Sequence, residues 1–292
     1  MDLKKRNCPL CGKNNNVHIK GKRIQYVREF KTYGPMVVRC NNCGMIFLNR
    51  IMTDNEYRDF YNKDLQRKFA ANLIKEDYKK KVGNQSRYRR DLLAGLLNKK
   101  HSLLDVGCGY CDFLLGIKHL VGEVIGLEPS SERAKYCKEH GVEIFNGTLE
   151  ELDSNKTFDI ITLFQVLEHV ANLYPFIGEL KKRLTNQGRI VIEVPNHDDL
   201  LVKIKKYKWF YYQNAHVNYF TLKTLRSLFH SSGLTIEREI PLQRYSLSNH
   251  LHWIITGSPG NVNSPKALDS IYKTLIKRTK WYDTIFLIVK RK

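Results

Sequence analysis

The sequence contains no run of about 18 or more apolar residues, the length an α-helix needs to cross a bilayer. It has no block of five or more like charges, no low-complexity tract and no internal repeat, so charged disordered tails and solenoids are not expected. Met1 to Cys8 offers no apolar signal-peptide core, and a cytosolic location is expected. Acidic residues are few: 29 Asp and Glu stand against 49 Lys and Arg, for a formal net charge of +20. Such an excess favours a negatively charged partner, whether RNA, an anionic membrane face or a phosphate-bearing small molecule. The lysines are spread rather than blocked, so a general compositional bias accounts for the charge equally well. What the chain does have is ordinary globular material, with 42% hydrophobic and 27% charged residues over 292 positions. That is enough for one large α/β domain with a small appendage, or for two domains.

Cysteine occurs seven times, and four of the seven form matched pairs, Cys8-Pro-Leu-Cys11-Gly12 and Cys40-Asn-Asn-Cys43-Gly44. A CxxC sets two thiolates on one tight turn, and the following glycine frees the backbone so that amides can point at sulfur. Two such knuckles joined by a hairpin supply a closed tetrahedral site. Cys8, Cys11, Cys40 and Cys43 are therefore predicted to hold a structural Zn2+. A dithiol switch would need one pair, not two. Cys108-Gly-Tyr-Cys111 repeats the spacing inside a glycine loop and is read as incidental.

Residues 1–50 read as a zinc-binding module of short strands, Val17–Ile19, Ile24–Phe30 and Met36–Arg39, between turn signals. Thr53-Asp54-Asn55-Glu56 reads as a capping box. Residues 51–100 then form a helical linker or cofactor cap, broken at Val82-Gly83-Asn84 and ending in the stripe Leu92, Leu93, Leu96, Leu97. From Ser102 the apolar runs Ser102–Val106, Val124–Leu127, Phe158–Leu163 and Arg189–Val194 alternate with helices at 111–120, 131–139, 172–184 and 221–231. That alternation predicts a parallel sheet with helices on both faces. Leu234–Ile240, Leu251–Ile255 and Thr284–Val289 are expected to be further strands, and Ser264-Pro265 to start a helix. The predicted fold class is α/β: a Rossmann-like doubly wound, mostly parallel sheet with an antiparallel terminal strand over 101–292. It carries a small N-terminal zinc-ribbon-like module and substrate-side insertions near 196–220 and 241–280.

The first strand of that series runs into Asp105-Val-Gly107-Cys-Gly109. The two glycines let the backbone turn sharply and approach a ligand, although Asp112 stands where a dinucleotide fingerprint has its third glycine. Glu128, 19 residues after Gly109 at the end of the next strand, is placed to accept hydrogen bonds from two ribose hydroxyls. Asp105 would hold the loop or meet a ligand ammonium.

Leu104-Asp105-Val-Gly-Cys-Gly109, Gly126-Leu-Glu128-Pro129-Ser130, Phe158-Asp-Ile-Ile161 and Val166-Leu-Glu168-His169-Val170, in this order and spacing, resemble the class I S-adenosylmethionine-dependent methyltransferases. Gly188 to Asn196 and His216-Val-Asn-Tyr219-Phe220-Thr221 extend the likeness, which covers residues from about 87 to about 235. It implies S-adenosylmethionine as cofactor, with Asp105 to Gly109 lining its methionine part and Glu128, followed by Pro129, on its ribose. It also implies Thr148 and Leu149 beside the adenine and Phe164 and Gln165 beneath it. An NAD enzyme fits the loop alone. The zinc module ahead of this domain is similar to that of deoxysugar C-methyltransferases and their relatives in surface-polysaccharide biosynthesis. Those enzymes place aromatic residues over the cofactor where Tyr57, Phe60 and Tyr61 fall here, although helix packing at i, i+4 explains that cluster equally well.

The stretch from Pro195 to Thr221 is too long for a simple turn. It holds Lys203, Lys205, Lys206 and Lys208, then Trp209-Phe-Tyr-Tyr212, and is expected to form a substrate wall. An amphipathic helix near a membrane surface is its other reading. Gln243-Arg244-Tyr245 and Asn249 to Trp253 read as strand edges, with Arg244 either a phosphate contact or an ordinary surface arginine. His216 is expected at the mouth of the site as general base, with His169 competing for that role. In the sugar C-methyltransferases a Tyr-x-Glu-His setting surrounds such a histidine. Here Ala215 replaces the glutamate, which favours oxygen as acceptor. The expected function is methyl transfer to a small-molecule or glycan acceptor, a nucleotide-linked or surface-glycan sugar bearing phosphate. An RNA methyltransferase and a non-catalytic cofactor-binding scaffold stay open as alternatives.

Overall fold

The computed structural model describes residues 4–23, 36–53, 56, 75–153, 155–206, 209, 212, 215–257 and 265–292. The expected strand Ile24–Phe30, the aromatic cluster Tyr57, Phe60 and Tyr61, and Asp54, Asn55, Lys208, Phe210, Tyr211 and Ser264 lie outside the described residues. The N-terminal segment contains β1 (Lys4–Lys5), β2 (Asn16–Arg23), β3 (Met36–Cys40), β4 (Ile46–Leu48) and β5 (Arg50–Ile51). Thr53 and Glu56 make the expected cap contact, the Thr53 amide donating to Glu56 Oε2 at 2.9 Å. Next comes α1 (Lys75–Leu93), then β6 (Ser102–Val106), α2 (Asp112–Ile117), β7 (Glu123–Leu127), α3 (Ser131–Glu139), β8 (Glu143–Phe145) and β9 (Phe158–Phe164). A 3-10 turn at Leu167–His169 precedes α4 (Leu173–Lys182), β10 (Leu184–Pro195), α5 (Leu200–Lys205), β11 (Asn218–Tyr219) and α6 (Leu222–Ser231). The chain ends with β12 (Leu234–Leu242), α7 (Leu247–Thr256), α8 (Lys266–Thr279) and β13 (Thr284–Arg291).

The main sheet has the order β12-β13-β10-β9-β6-β7-β8. Strands from β10 to β8 pair in parallel, and β13 runs antiparallel between β10 and β12. The expected Rossmann-like, mostly parallel sheet is therefore present, with its antiparallel strand one place in from the edge. Alternate residues of each strand feed opposite faces, as the two-residue period of a strand requires. Leu104, Ile161, Ile190 and Ile192 enter one buried cluster, and Leu103, Ile160 and Val191 enter the other.

Two local expectations are corrected. α1 passes through Val82-Gly83-Asn84 without a break; an isolated helical glycine costs only about 1 kcal/mol against alanine. Leu251–Ile255 is helix, not strand, because the Ser246 side chain caps α7 by accepting from the Asn249 amide and His250 and Trp253 bury one helical face. Of the aromatic insert, Trp209 and Tyr212 are buried with His197, Tyr219, Val37, Ile46 and Leu48, against the N-terminal strands.

That packing reflects how the N-terminal segment is attached. β11, from the insert after β10, completes a four-stranded sheet β11-β4-β3-β2. Arg6 donates to the carbonyls of Leu48 and Ala171 and to Asn218 Oδ1. Cys8, Leu10, Val38, Met45 and Phe47 share a core cluster with Leu163 and Val194 of the large sheet.

Candidate active site

The carboxyl ends of β6, β7, β9 and β10 bring the sequence-selected residues to one edge of the sheet. After β6 the backbone reverses through Gly107 (φ +71°) and Gly109 (φ +59°), conformations that L side chains rarely adopt. A Cβ at Gly107 would come within 2.8 Å of Val166 Cγ2, whereas at Gly109 it would meet open space. Glu128 holds this loop with both oxygens: Oε2 accepts from the Gly109 amide at 2.9 Å and Oε1 from the Ser130 amide at 3.0 Å. Asp105 is buried and accepts from Thr162 Oγ1 at 2.6 Å. Burial pushes its pKa up to about 7, against the Thr162 hydrogen bond and the charge of Arg89. Asn146 Nδ2 donates to the Glu128 carbonyl at 2.9 Å and the Pro129 carbonyl at 3.2 Å, which fixes the turn after β7. The Thr148 amide donates to Glu151 at 2.8 Å. Leu149 is packed into the core, so its backbone, not its side chain, is what that position offers a ligand.

Phe164 closes β9, and Gln165 takes a positive φ of 59° directly after it. The Gln165 amide donates to the Glu193 carbonyl at 2.8 Å and its Nε2 to Glu193 Oε1 at 3.2 Å. The following turn carries Glu168 and His169. His169 and His216 meet edge to face with ring centroids 4.8 Å apart. One donor atom each from Glu168, His169 and His216 lies within 4.8 Å of the others, a set that could hold a divalent cation. Glu168 is fully buried, and neither carboxylate oxygen has a hydrogen-bond partner among the described residues. Burial pushes its pKa up to about 8. Burial pulls His169 down to about 4, so its ring is neutral. His169 Nδ1 lies 2.8 Å from the Ala215 carbonyl, which makes Nδ1 the protonated nitrogen and leaves a lone pair on Nε2.

A second carboxylate, Glu193 of β10, was not singled out from the sequence and forms the main polar hub. It accepts from Arg89 at 2.8 and 3.0 Å, from the Tyr88 hydroxyl at 2.7 Å and from Arg244 Nη1 at 3.3 Å. Burial works to raise its pKa, but the charges of Arg89 and Arg244 outweigh that and hold it low. Arg244 is therefore not an ordinary surface arginine: its side chain is 10% exposed, and its Nε lies 3.5 Å from Asp283 Oδ1. The signal was present: a lone glutamate inside Ile190-Val-Ile-Glu-Val194 must find a cation once the strand is buried. Tyr88 and Arg89 were invisible because their partner lies more than 100 residues away.

The four N-terminal thiols also converge. Cys8 and Cys43 sulfurs are 3.5 Å apart, as are Cys11 and Cys40, and all four Sγ atoms lie within 4.8 Å of one another. Gly12 and Gly44 adopt φ of +71° and +78°, the turn each knuckle requires. The donor set fits a closed tetrahedral Zn2+ site. Cys108 and Cys111 belong to the packing under the glycine loop, where Cys137 donates to the Gly109 carbonyl at 3.3 Å.

Residues 78–239 match the family model described as a methyltransferase domain. The ubiquinone biosynthesis O-methyltransferase of Rickettsia conorii (strain ATCC VR-613 / Malish 7) is 31% identical over 157 residues, covering 51% of this chain and 54% of that protein. The mitochondrial ubiquinone biosynthesis O-methyltransferase of Bos taurus is 26% identical over 169 residues, covering 52% of this chain and 46% of that protein. The chain spans about half the length of these curated relatives. Among solved structures, magnesium protoporphyrin IX methyltransferase from Synechocystis PCC 6803 with bound SAH matches with a TM-score of 0.55 at 13% identity. That match covers 82% of this chain and 100% of the other, and at such identity it concerns the fold alone.

Proposed function

The chain belongs to the methyltransferase-domain family, and we propose that it moves a methyl group from S-adenosylmethionine to an oxygen of a small-molecule acceptor. The observation that carries this reading is the meeting of the Gly107–Gly109 loop with Glu168, His169 and His216 at the carboxyl edge of one sheet. The residues fit the cofactor. The loop is open at Gly109, a buried acid that titrates near neutrality stands at Asp105, and the Glu128 carboxylate is held against the loop at the end of β7 by the Gly109 and Ser130 amides. When bound, S-adenosylmethionine supplies a methyl group on a positively charged sulfur. The chain's own contribution is positioning and proton removal. His169 is neutral and pinned by the Ala215 carbonyl, so it buttresses the site, while His216 takes the acceptor's hydroxyl proton. The acceptor oxygen, relieved of its proton by His216, would be the group that receives the methyl.

The sugar acceptor expected from the sequence draws no support from the relatives, which are named for ubiquinone biosynthesis. Their name supports an oxygen acceptor, as does Ala215 in place of a glutamate, and nothing on this edge favours RNA. Purified protein should release S-adenosylhomocysteine with a phenolic acceptor and yield a methyl ether by mass spectrometry; a nucleotide-linked sugar is the comparison substrate. Failure to bind S-adenosylhomocysteine at all would overturn the reading. The donor set of Glu168, His169 and His216 favours one second reading, a divalent cation held beside the acceptor. Activity abolished by a chelator that leaves the cysteine site loaded, and restored by a divalent cation, would support it. The four cysteines are assigned a structural Zn2+, and elemental analysis should find about one zinc per chain.

A further inference from the structure

α7 and α8 join β12 to β13, whose ends Leu242 and Thr284 are paired with each other. Thr284 is also paired with Pro195 at the carboxyl end of β10. The two helices therefore emerge at the edge that carries the candidate site. They pack on each other through one face each: the Tyr272 hydroxyl meets His250 Nδ1, and the Leu247 amide donates to Asp269 Oδ1 at 3.0 Å. Their other faces leave aliphatic side chains in water. On α7, Leu251 is 50% and Ile255 81% exposed; on α8, Leu268, Ile271 and Leu275 are 55%, 59% and 54% exposed. The α8 trio falls at i, i+3 and i+7, one continuous stripe beside the row Tyr272–Ile276 that packs inward. Ile204 of α5 adds a further aliphatic group, and Lys205 of that helix donates to the Ile254 carbonyl at 2.6 Å, tying α5 to the end of α7.

The charge on α8 is mostly of one sign. Residues 265–281 contain Lys266, Lys273, Lys277, Arg278 and Lys280 against one acid, Asp269, which is bound to Lys273 at 2.9 Å. Lys203 and Lys206 are exposed on and after α5. We propose that the α7–α8 hairpin is a docking surface for an anionic lipid bilayer. Its aliphatic stripe would lie among the acyl chains at the headgroup boundary, with Arg278 beside the stripe and the lysines of the opposite, polar face drawn by the negative surface potential. Helices with a solvent-facing apolar stripe and lysines on their polar faces bind in this way. A second copy of the chain would present the same positive face and be repelled, and RNA would gain nothing from Leu268, Ile271, Leu275 or Ile255. The proposal does not depend on the identity of the methyl acceptor.

The test is co-sedimentation of the full chain with vesicles of phosphatidylcholine containing phosphatidylglycerol, against vesicles of phosphatidylcholine alone. Wild-type protein should partition to the anionic vesicles. The variant Leu268→Ser/Ile271→Ser/Leu275→Ser should lose at least about tenfold in partitioning with an unchanged thermal midpoint, since these side chains are exposed. Lys273→Glu/Lys277→Glu should abolish the preference for anionic over neutral vesicles. Unchanged binding by the serine variant would overturn the proposal, as would wild-type protein that ignores both vesicles. A dimer seen by analytical ultracentrifugation and lost in the serine variant would assign the surface to a second copy and overturn it too.

Discussion

Two glutamates buried at the same edge of the sheet, Glu193 and Glu168, have opposite surroundings. Glu193 is wrapped by Arg89, Arg244, Tyr88 and Gln165, so its charge is stabilised and its oxygens accept hydrogen bonds within the fold. Glu168 is as deeply buried but has no hydrogen-bond partner for its carboxylate among the described residues, and its pKa rises to about 8. A fold stabilises a buried acid by surrounding it with donors. An acid buried without them is held for something that arrives later, a proton, a cation or a substrate hydroxyl. The comparison sets a carboxylate that ties the chain together beside one whose oxygens find no partner among the described residues.

The sharpest way to break that comparison is to neutralise the satisfied acid. Glu193→Gln should cost about 3–5 kcal/mol, the scale for leaving buried cations without their partner, measured by urea unfolding. A loss below about 1 kcal/mol would mean that Arg89 and Arg244 are satisfied elsewhere. Next in size is the acting side. His216→Gln should lower turnover by roughly 10²-fold, about 2.7 kcal/mol of transition-state stabilisation, with S-adenosylhomocysteine affinity nearly unchanged. If that variant turned over normally and His169→Gln were inactive, the base would be His169.

Asp105 sits between the two glutamates: it has one donor, Thr162, and a pKa near 7. Its folded pKa lies above the ordinary 3.8, so the folded chain binds more protons than the unfolded chain between about 4 and 7. Stability from this group is thus full at low pH and declines as pH rises through that window. A ligand ammonium reverses the preference, because it favours the ionised form. S-adenosylhomocysteine affinity should then fall by up to about tenfold from pH 7 to pH 6 by calorimetry, and Asp105→Asn should flatten the profile. An unchanged slope in that variant would show that Asp105 does not face the ligand.

The smallest effect is expected at Glu168. Glu168→Gln should leave stability within about 1 kcal/mol, since no partner is lost, while turnover falls if this acid serves the acceptor. A large loss of stability would place Glu168 with Glu193 among the structural acids.

The sheet was legible in the sequence because buried parallel strands are short apolar runs, and Ser102–Val106 and Phe158–Phe164 end where their glycines or polar residues begin. The cysteine cluster was legible from matched spacing alone. The α7 segment was misread because His250, His252 and Trp253 alternate with apolar residues over too short a window to separate the two periods. The Arg89–Glu193–Arg244 hub was hidden for a different reason. Its members lie on three elements, and no local pattern encodes a partner 104 residues away. The packing of Trp209 and Tyr212 on the N-terminal sheet was hidden because no local pattern places that sheet beside the insert.

The two-residue strand Asn218–Tyr219 has a consequence for anyone wishing to exchange parts between proteins of this kind. It borders His216, pairs with β4, and through Val217 ties both to the Leu48 amide and to the Glu168 carbonyl. The N-terminal segment is thus no detachable cassette. Grafting another protein's module here would replace the partner of β11, so chimeras cut at residue 50 should change the surroundings of His216 along with the four cysteines.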